Sequence, residues 1–464
     1  MELYRYRNVK SALRELKDRT FYFATRDELN DPIEGHVIVY WQGDKPAWEG
    51  LFRNYICSLF NCLNICSMFP NMVNESQSIN DILKEIKRKT VLLDIHQFDN
   101  SSLGNIFQEI GFDFLHEARV RDLVSLYGNN NYKCYTKELQ LILRSITNIA
   151  YQICFKHFKE IQNVSGKTHI KRPDFPFEAF KNLDSEKRIN ISTKIENLFF
   201  DSTELEQMKR LKENIEDILS LILEMTFSQM YVERLKEIMY PSGYVVCFSK
   251  RKDNSAMWGK YANEHKGVCL IYETTKMNER EIILMDESYI VTKEIEYSNE
   301  GIIQRNFFEN LGRLTYPQFT TWLTGNDSIK SIHLKDEDYF NSKKFKEQYL
   351  SDYDKKFCTK MEDWEYEAEQ RGILPSYNEN DPPKIRTLKY DIQSLKGIIF
   401  GIRTPLPDKF KIIQQVQEMK DDLTNFEFFQ AEYDDVNRKI CIRCKSTFDG
   451  TSYYEHAMKI LENA

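Results

Sequence analysis

The sequence predicts an α+β protein with a mixed or antiparallel sheet core, assembled from both ends of the chain around a large all-helical insertion. Two observations carry this prediction. Aromatic and β-branched runs bounded by turn residues cluster before residue 64 and after residue 241. Between them, apolar residues recur at three- and four-residue spacing over long stretches. The expected organisation is therefore 1–64 as the first part of the core, 65–240 as the insertion, and 241–464 as the second part. A chain of 464 residues can bury a large core of one or two domains.

The elements follow in order. Leu3 to Arg7 alternates Leu and Tyr with polar residues and reads as a first strand. Ser11 to Asp18 puts Leu13 and Leu16 on one helical face, and Thr20 to Ala24 is a second strand. Asn30-Asp31-Pro32 is a turn, because Asn and Asp bond their own backbone and Pro fixes φ. Cys57, Cys62 and Cys66 lie in an apolar helical run without a fourth ligand, so they read as buried thiols rather than zinc ligands. Ile79 to Lys89, Leu115 to Tyr127, Thr136 to Ile161 and Glu204 to Met239 have helical spacing. The last carries a stripe from Leu211 to Met225. Gly166, Pro173 and Pro176 mark a break inside the block.

The second core segment opens on Gly243 to Ser249, a strand that runs out into a loop. Asp253 or Asn254 can cap a short helix in which Met257, Trp258, Tyr261 and Ala262 share a face. Trp258 and Tyr261 are then core residues or an aromatic ligand wall. Gly267 is expected to end the helix in the left-handed region, and Val268 to Tyr272 is the next strand. Ile282 to Met285 and Ile295 to Tyr297 read as strands, and Ile302 to Leu314 and Ser342 to Lys356 as helices. Trp364 to Arg371 alternates strictly. As a strand it would place Glu365, Glu367, Glu369 and Arg371 on one face, either a solvated edge or a site where one carboxyl is pushed up. Leu395 to Ile402 is a late strand, Asp408 to Lys420 a helix, and Glu427 to Tyr433 and Arg438 to Lys445 are closing strands. Cys441 and Cys444 form a CxxC on such a strand, where a redox motif would need a following helix.

Composition narrows the function. A net charge of −7 argues against a nucleic-acid-coating protein, while leaving a local basic groove open. No run of 18 apolar residues exists, so no membrane span is expected. The start, Met1-Glu-Leu-Tyr-Arg, lacks the apolar core of a leader, and ten cysteines without a dense framework read as free thiols. A cytoplasmic protein is the expectation. The chain has no P-loop, GxGxxG, HExxH or GxSxG.

The run Cys247-Phe-Ser249, Met257-Trp258, Tyr261 and His265-x-Gly267-Val-Cys269 resembles the signature of a bacterial family catalogued as domain-of-unknown-function family 2971. Leu3-Tyr-Arg-Tyr-Arg7, Leu29-Asn-Asp-Pro-Ile-Glu34, Trp364 to Arg371 and Leu395 to Arg403 resemble it too, in the same order. The family name carries no activity. Its members' frequent place on mobile elements implies a defence or toxin role. The strand–helix–strand opening is also similar to that of ADP-ribosyltransferase folds, and Glu367-Ala-Glu369 resembles their Glu-x-Glu motif. That resemblance implies Glu369 as the catalytic glutamate and Glu367 as the substrate-side one. Relative to that fold, the first-strand polar residue is either Arg5 or Arg7, and Ser249 alone stands for a Ser-Thr-Ser motif.

These residues suggest an enzyme that uses NAD as its substrate, as a transferase or glycohydrolase, with no metal. Cleavage of the nicotinamide–ribose bond passes through an oxocarbenium-like state that a carboxylate can stabilise. Arg5, Tyr6, Arg7, Asn30, Ser249, Trp258, Tyr261 and Arg371 are the candidate nucleotide-binding residues, with Arg5 or Arg7 on phosphate. Two other classes stay open. One is a non-enzymatic sensor or adaptor that binds a protein trigger through the helical insertion. The other is a metal-dependent nuclease using Asp31, Glu34, Glu367 and Glu369. The macromolecular acceptor of a transferase is not written in these residues.

Overall fold

The computed structural model describes residues 1–68, 86–95, 102–129, 132–162, 183–184, 186–195, 215–298, 303–376, 381–419 and 426–447. Residues 79–85, 163–182 (with Gly166, Pro173 and Pro176) and 204–214 (with Leu211) carried sequence expectations and lie outside this set. The fold is α+β with a mixed, mostly antiparallel sheet. The chain forms two compact units. One takes Met1–His36, Pro241–Ile303 and Tyr353–Ala464; the other takes Val37–Tyr240 and Gln304–Asp352.

In chain order the described strands are β1 (Glu2–Arg7), β2 (Thr20–Tyr22), β3 (Val37–Trp41), β4 (Cys134–Tyr135), β5 (Gly243–Ser249), β6 (Val268–Glu273), β7 (Thr275–Met277), β8 (Arg280–Leu284), β9 (Tyr289–Glu294), β10 (Glu296–Ser298), β11 (Ile303–Asn306), β12 (Thr359–Met361), β13 (Glu369–Pro375), β14 (Thr387–Lys389), β15 (Leu395–Phe400), β16 (Glu427–Asp434) and β17 (Lys439–Thr447). The first unit holds a ten-stranded sheet in the order β17-β16-β15-β6-β1-β5-β13-β9-β8-β7. Only β15 and β16 in it run parallel; the other neighbours are antiparallel.

The alternation of β1 sorts its side chains between two cores. Leu3 packs with Ala12 and Leu16 of the helix Val9–Asp18, and with Ile412 and Val416 of the helix Leu406–Gln417. Tyr4 and Tyr6 face the other way, onto Met257 and Trp258 of the short helix Ser255–Tyr261. Asn8 starts the first helix by accepting Ser11 N at 2.8 Å, and Arg19 ends it in the left-handed region.

In the second unit the helices Lys45–Met68, Ser102–His116, Ala118–Asn129, Thr136–Gln162 and Ile215–Met239 accompany a three-stranded sheet, β11-β3-β4. The boundary expected after residue 64 falls inside Lys45–Met68. That helix buries Cys57, Cys62 and Cys66 as small apolar groups, and burial pushes the Cys57 and Cys66 thiols up to about 12. Among the described residues no helix is long and apolar enough to cross a membrane.

Three local expectations need correction. Ile302 to Leu314 is not a helix: β11 leads into a short 3₁₀ turn, Phe307–Glu309. The Asn306 amide bonds both backbone groups of Gln42, which fixes the segment as an extension of β3. Trp364 to Arg371 is not one strand: Glu362–Glu367 is a 3₁₀ turn, Ala368 is left-handed at φ 44°, and β13 begins only at Glu369. The helix ending at Tyr261 is closed not by Gly267 but by Asn263, Glu264 and His265, with φ of 48°, 57° and 68°. Gly267 is required for close approach instead, since a Cβ there would stand 2.2 Å from the Arg7 carbonyl.

Candidate functional site

Three adjacent strands of the first unit line up one row of residues. Tyr4 of β1 pairs with Ser249 of β5, and Ser249 pairs with Glu369 of β13. One cavity of about 110 Å³ opens at this row. It is lined by Tyr4, Tyr6, Ser249, Met257, Tyr261, Glu34, Lys360, Glu367, Glu369 and Arg371, among others.

The floor of the cavity is a buried ionic network. Lys360, from β12, places Nζ 2.8 Å from Glu367 Oε2, 3.0 Å from Glu369 Oε2 and 3.4 Å from Glu34 Oε2. Arg371 grips Glu369 with both arms of its fork, Nε at 2.6 Å and Nη2 at 2.8 Å. It also contacts Glu34 and donates from Nη1 to the Phe357 carbonyl at 2.7 Å. Burial works against the Glu369 carboxylate, but Arg371 and Lys360 overcome it and hold the group at about 2. Burial pushes the Glu34 carboxyl up, against the pull of Arg371 and Lys360. Burial also works against the Lys360 ammonium, and its three carboxylate neighbours reverse that and raise it.

The 3₁₀ turn Glu362–Glu367 is tied down by its own last carbonyls. Ser249 Oγ donates to the Glu367 carbonyl at 2.7 Å and accepts from Arg251 N. Asn254 caps the Ser255–Tyr261 helix with Oδ1, and its Nδ2 donates to the Tyr366 carbonyl at 2.6 Å. Lys250 N bonds the Ala368 carbonyl, and the Tyr297 hydroxyl accepts Glu369 N at 2.8 Å. The turn thereby brings Glu367 and Glu369 onto the same ammonium despite the kink between them.

The rim is aromatic. The Tyr261 hydroxyl donates to Glu367 Oε1 at 2.6 Å and accepts from Asn30 Nδ2 at 2.9 Å. Burial and the Glu367 carboxylate raise this phenol. Asp31 Oδ1 accepts Ile33 N, which makes the Asn30-Asp31-Pro32 turn, while Asp31 Oδ2 is buried without a hydrogen-bond partner.

The structure therefore brings Glu367, Glu369, Arg371, Ser249, Tyr261, Asn30, Tyr6, Arg5 and Arg7 to one place. Two of these carry a further ion pair, and one more candidate, Trp258, lies outside the lining. Arg5 and Arg7 both pair with Glu15, at 3.4 Å and 3.0 Å, and Tyr272 donates to the same carboxylate. The Arg5 guanidinium lies over the Phe21 and Phe248 rings and, with Arg7, lines the cavity; its Nε and Nη1 are buried without a hydrogen-bond partner. Trp258 is fully buried, edge-on to Tyr6, with Nε1 donating to the Lys252 carbonyl. It is core rather than a ligand wall. Arg371 itself serves the carboxylates and leaves no fork for a phosphate.

Sequence reasoning missed Lys360. Its strand, Thr359-Lys-Met361, is too short for a pattern, and only the excess of acidic side chains beside one Arg371 signalled that another buried cation was needed. Comparison with family models, curated proteins and solved structures finds no match to this chain.

Proposed function

We propose that the first unit cleaves the N-glycosidic bond of NAD, as an ADP-ribosyltransferase-like enzyme or NAD glycohydrolase. In this reading the α+β core is of the ADP-ribosyltransferase type and the largely helical block is an insertion into it. The observation that carries the reading is the row Tyr4–Ser249–Glu369 across β1, β5 and β13, with Glu367 converging on the same cavity.

The chemistry asks for a fixed negative charge beside a ribose cation. Glu369 suits this, because Arg371 and Lys360 keep it ionised and immobile. Glu367, hydrogen-bonded to Tyr261 at the rim, is the substrate-side carboxylate for a ribose hydroxyl. As the bond breaks, nicotinamide leaves with the electron pair. Water or an acceptor then adds to the sugar carbon and gives up its proton, for which Glu367 is the nearest base. The cavity is well below the ~300–1,000 Å³ of pockets that engulf drug-sized ligands. It takes one ring of the dinucleotide and leaves the rest outside. Arg5 and Arg7, at the cavity and sharing Glu15, are the cations available to a phosphate in this version.

The test is nicotinamide release from NAD by mass spectrometry, with and without lysate as acceptor. Wild type should release it, and Glu367→Gln, verified as folded by circular dichroism, should lose about a hundred-fold or more in rate. Folded wild type that releases none under either condition, or a Glu367→Gln variant at full rate, overturns the reading.

A further inference from the structure

At the rim of this cavity an internal cation occupies an aromatic surface. The ammonium of Lys260, an exposed side chain, stands 3.6 Å from the centroid of the Trp364 ring and 5.3 Å from that of Tyr261, and the buried Lys360 ammonium stands 4.7 Å from the same Trp364 centroid. Trp364 and Tyr366 are half-exposed on the 3₁₀ turn, with their rings 28° from parallel. An exposed side chain with four free torsions gains little by lying on a ring and gives way readily to a better cation.

The charge beneath points the same way. On the Lys260 side of the cavity, Asp31, Glu34, Glu367 and Glu369 face Lys260, Lys360 and Arg371, a local excess of one negative charge that becomes two once Lys260 swings out; Arg5 and Arg7, which share Glu15, supply the balancing charge of the cavity as a whole. Asp31 Oδ2 is buried and unpartnered. Burial and the Lys360 ammonium lower the Lys260 ammonium, while Glu367 and Asp31 pull it the other way.

We infer that Lys260 holds the place of an organic cation. Trp364 and Tyr261 form a platform for a delocalised or alkylated cationic head group that displaces the lysine and takes over its charge partners. The proposal rests on the proposed function only in naming the occupant: an oxidised nicotinamide ring is such a cation, whereas free nicotinamide, the leaving group, is neutral. A platform that prefers the cation would hold the reactant and release the product.

The probes are the N-methylnicotinamide cation, tetramethylammonium and neutral nicotinamide, titrated calorimetrically into the full chain. The cations should bind wild type more tightly than nicotinamide does. Lys260→Met, a surface change, should tighten cation binding by about two- to five-fold, the equivalent of one exposed cation–π contact removed from competition. Trp364→Leu should abolish the preference for cations. Equal affinity for charged and neutral probes, or unchanged cation binding in Lys260→Met, overturns the inference. Cation binding of this pattern without NAD turnover leaves the platform standing and removes the NAD reading. NAD turnover with KM unmoved by Lys260→Met and Trp364→Leu does the reverse.

Discussion

Glu369 is the residue on which acid stability should turn. It is held at about 2 in the folded protein against an ordinary 4.5, because Arg371 and Lys360 outweigh its burial. A depressed carboxyl binds protons more readily when the chain is unfolded, so its contribution is full above about pH 4.5 and is lost as pH falls towards 2. That span corresponds to about 3 kcal/mol. Urea unfolding followed across this window should show a steep acid loss in wild type and a shallower one in Glu369→Gln. Parallel curves would exclude the assignment. At neutral pH Glu369→Gln leaves Arg371 half-compensated in a dry site and should cost about 3–5 kcal/mol. Lys360→Met should cost a similar amount, since three carboxylates would lose the ammonium between them. The glutamates and Arg371 were legible in the sequence as a cluster. Their partner was not, because residue type says nothing about which lysine will be buried.

At the scale of elements, most strands were readable because β-branched and aromatic runs such as Tyr244–Phe248 and Val268–Tyr272 have no better alternative. Trp364 to Arg371 misled for a physical reason. Its alternation is strict, yet the chain turns at Ala368, a residue with no marked preference for φ 44°. What holds the turn is remote: Ser249, Asn254 and Lys250 bond its carbonyls, and none of these is visible from the segment itself. The left-handed conformation costs an L-residue about 1–2 kcal/mol, and more with a branched Cβ. Ala368→Val should therefore lower the melting temperature clearly, while Ala368→Gly should stay close to wild type because relief of strain offsets a more flexible unfolded chain. Equal melting of the two variants would show that the bend is not imposed on Ala368. Trp258 shows the opposite case: its helical spacing was legible, but only packing against Tyr6 distinguishes a core tryptophan from a ligand wall.

For the whole molecule, aromatic and β-branched runs pointed to strands near both chain ends and periodicity to helices between them, but the block expected to be all helical also holds β4, Cys134–Tyr135, which pairs with β3. The sheet order was not legible, since strands that pair are separated by whole units. β1 lies between β5 and β6, and the central row joins residues from three separate stretches of chain. Non-local pairing of this kind folds slowly, because long loops must close before any contact is made. Pulse-labelled hydrogen exchange during refolding should show amides of Lys45–Met68 and Thr136–Gln162 protected before those of β1, β5 and β13. Protection of β1 first would contradict that order.

The position of β1 also matters on the ribosome. Its two partners are encoded more than half a chain later, and at about 5–20 residues per second the delay between Arg7 and Gly243 is on the order of ten to fifty seconds. Throughout it a strand carrying Leu3, Tyr4 and Tyr6 has both edges bare. Arg5 and Arg7, which finish beside Glu15 at the cavity, give that waiting strand two positive charges, which oppose its pairing with another copy of itself. Replacing both arginines by Leu is therefore expected to raise aggregation of stalled nascent chains relative to wild type, measured by pelleting of ribosome-released N-terminal fragments.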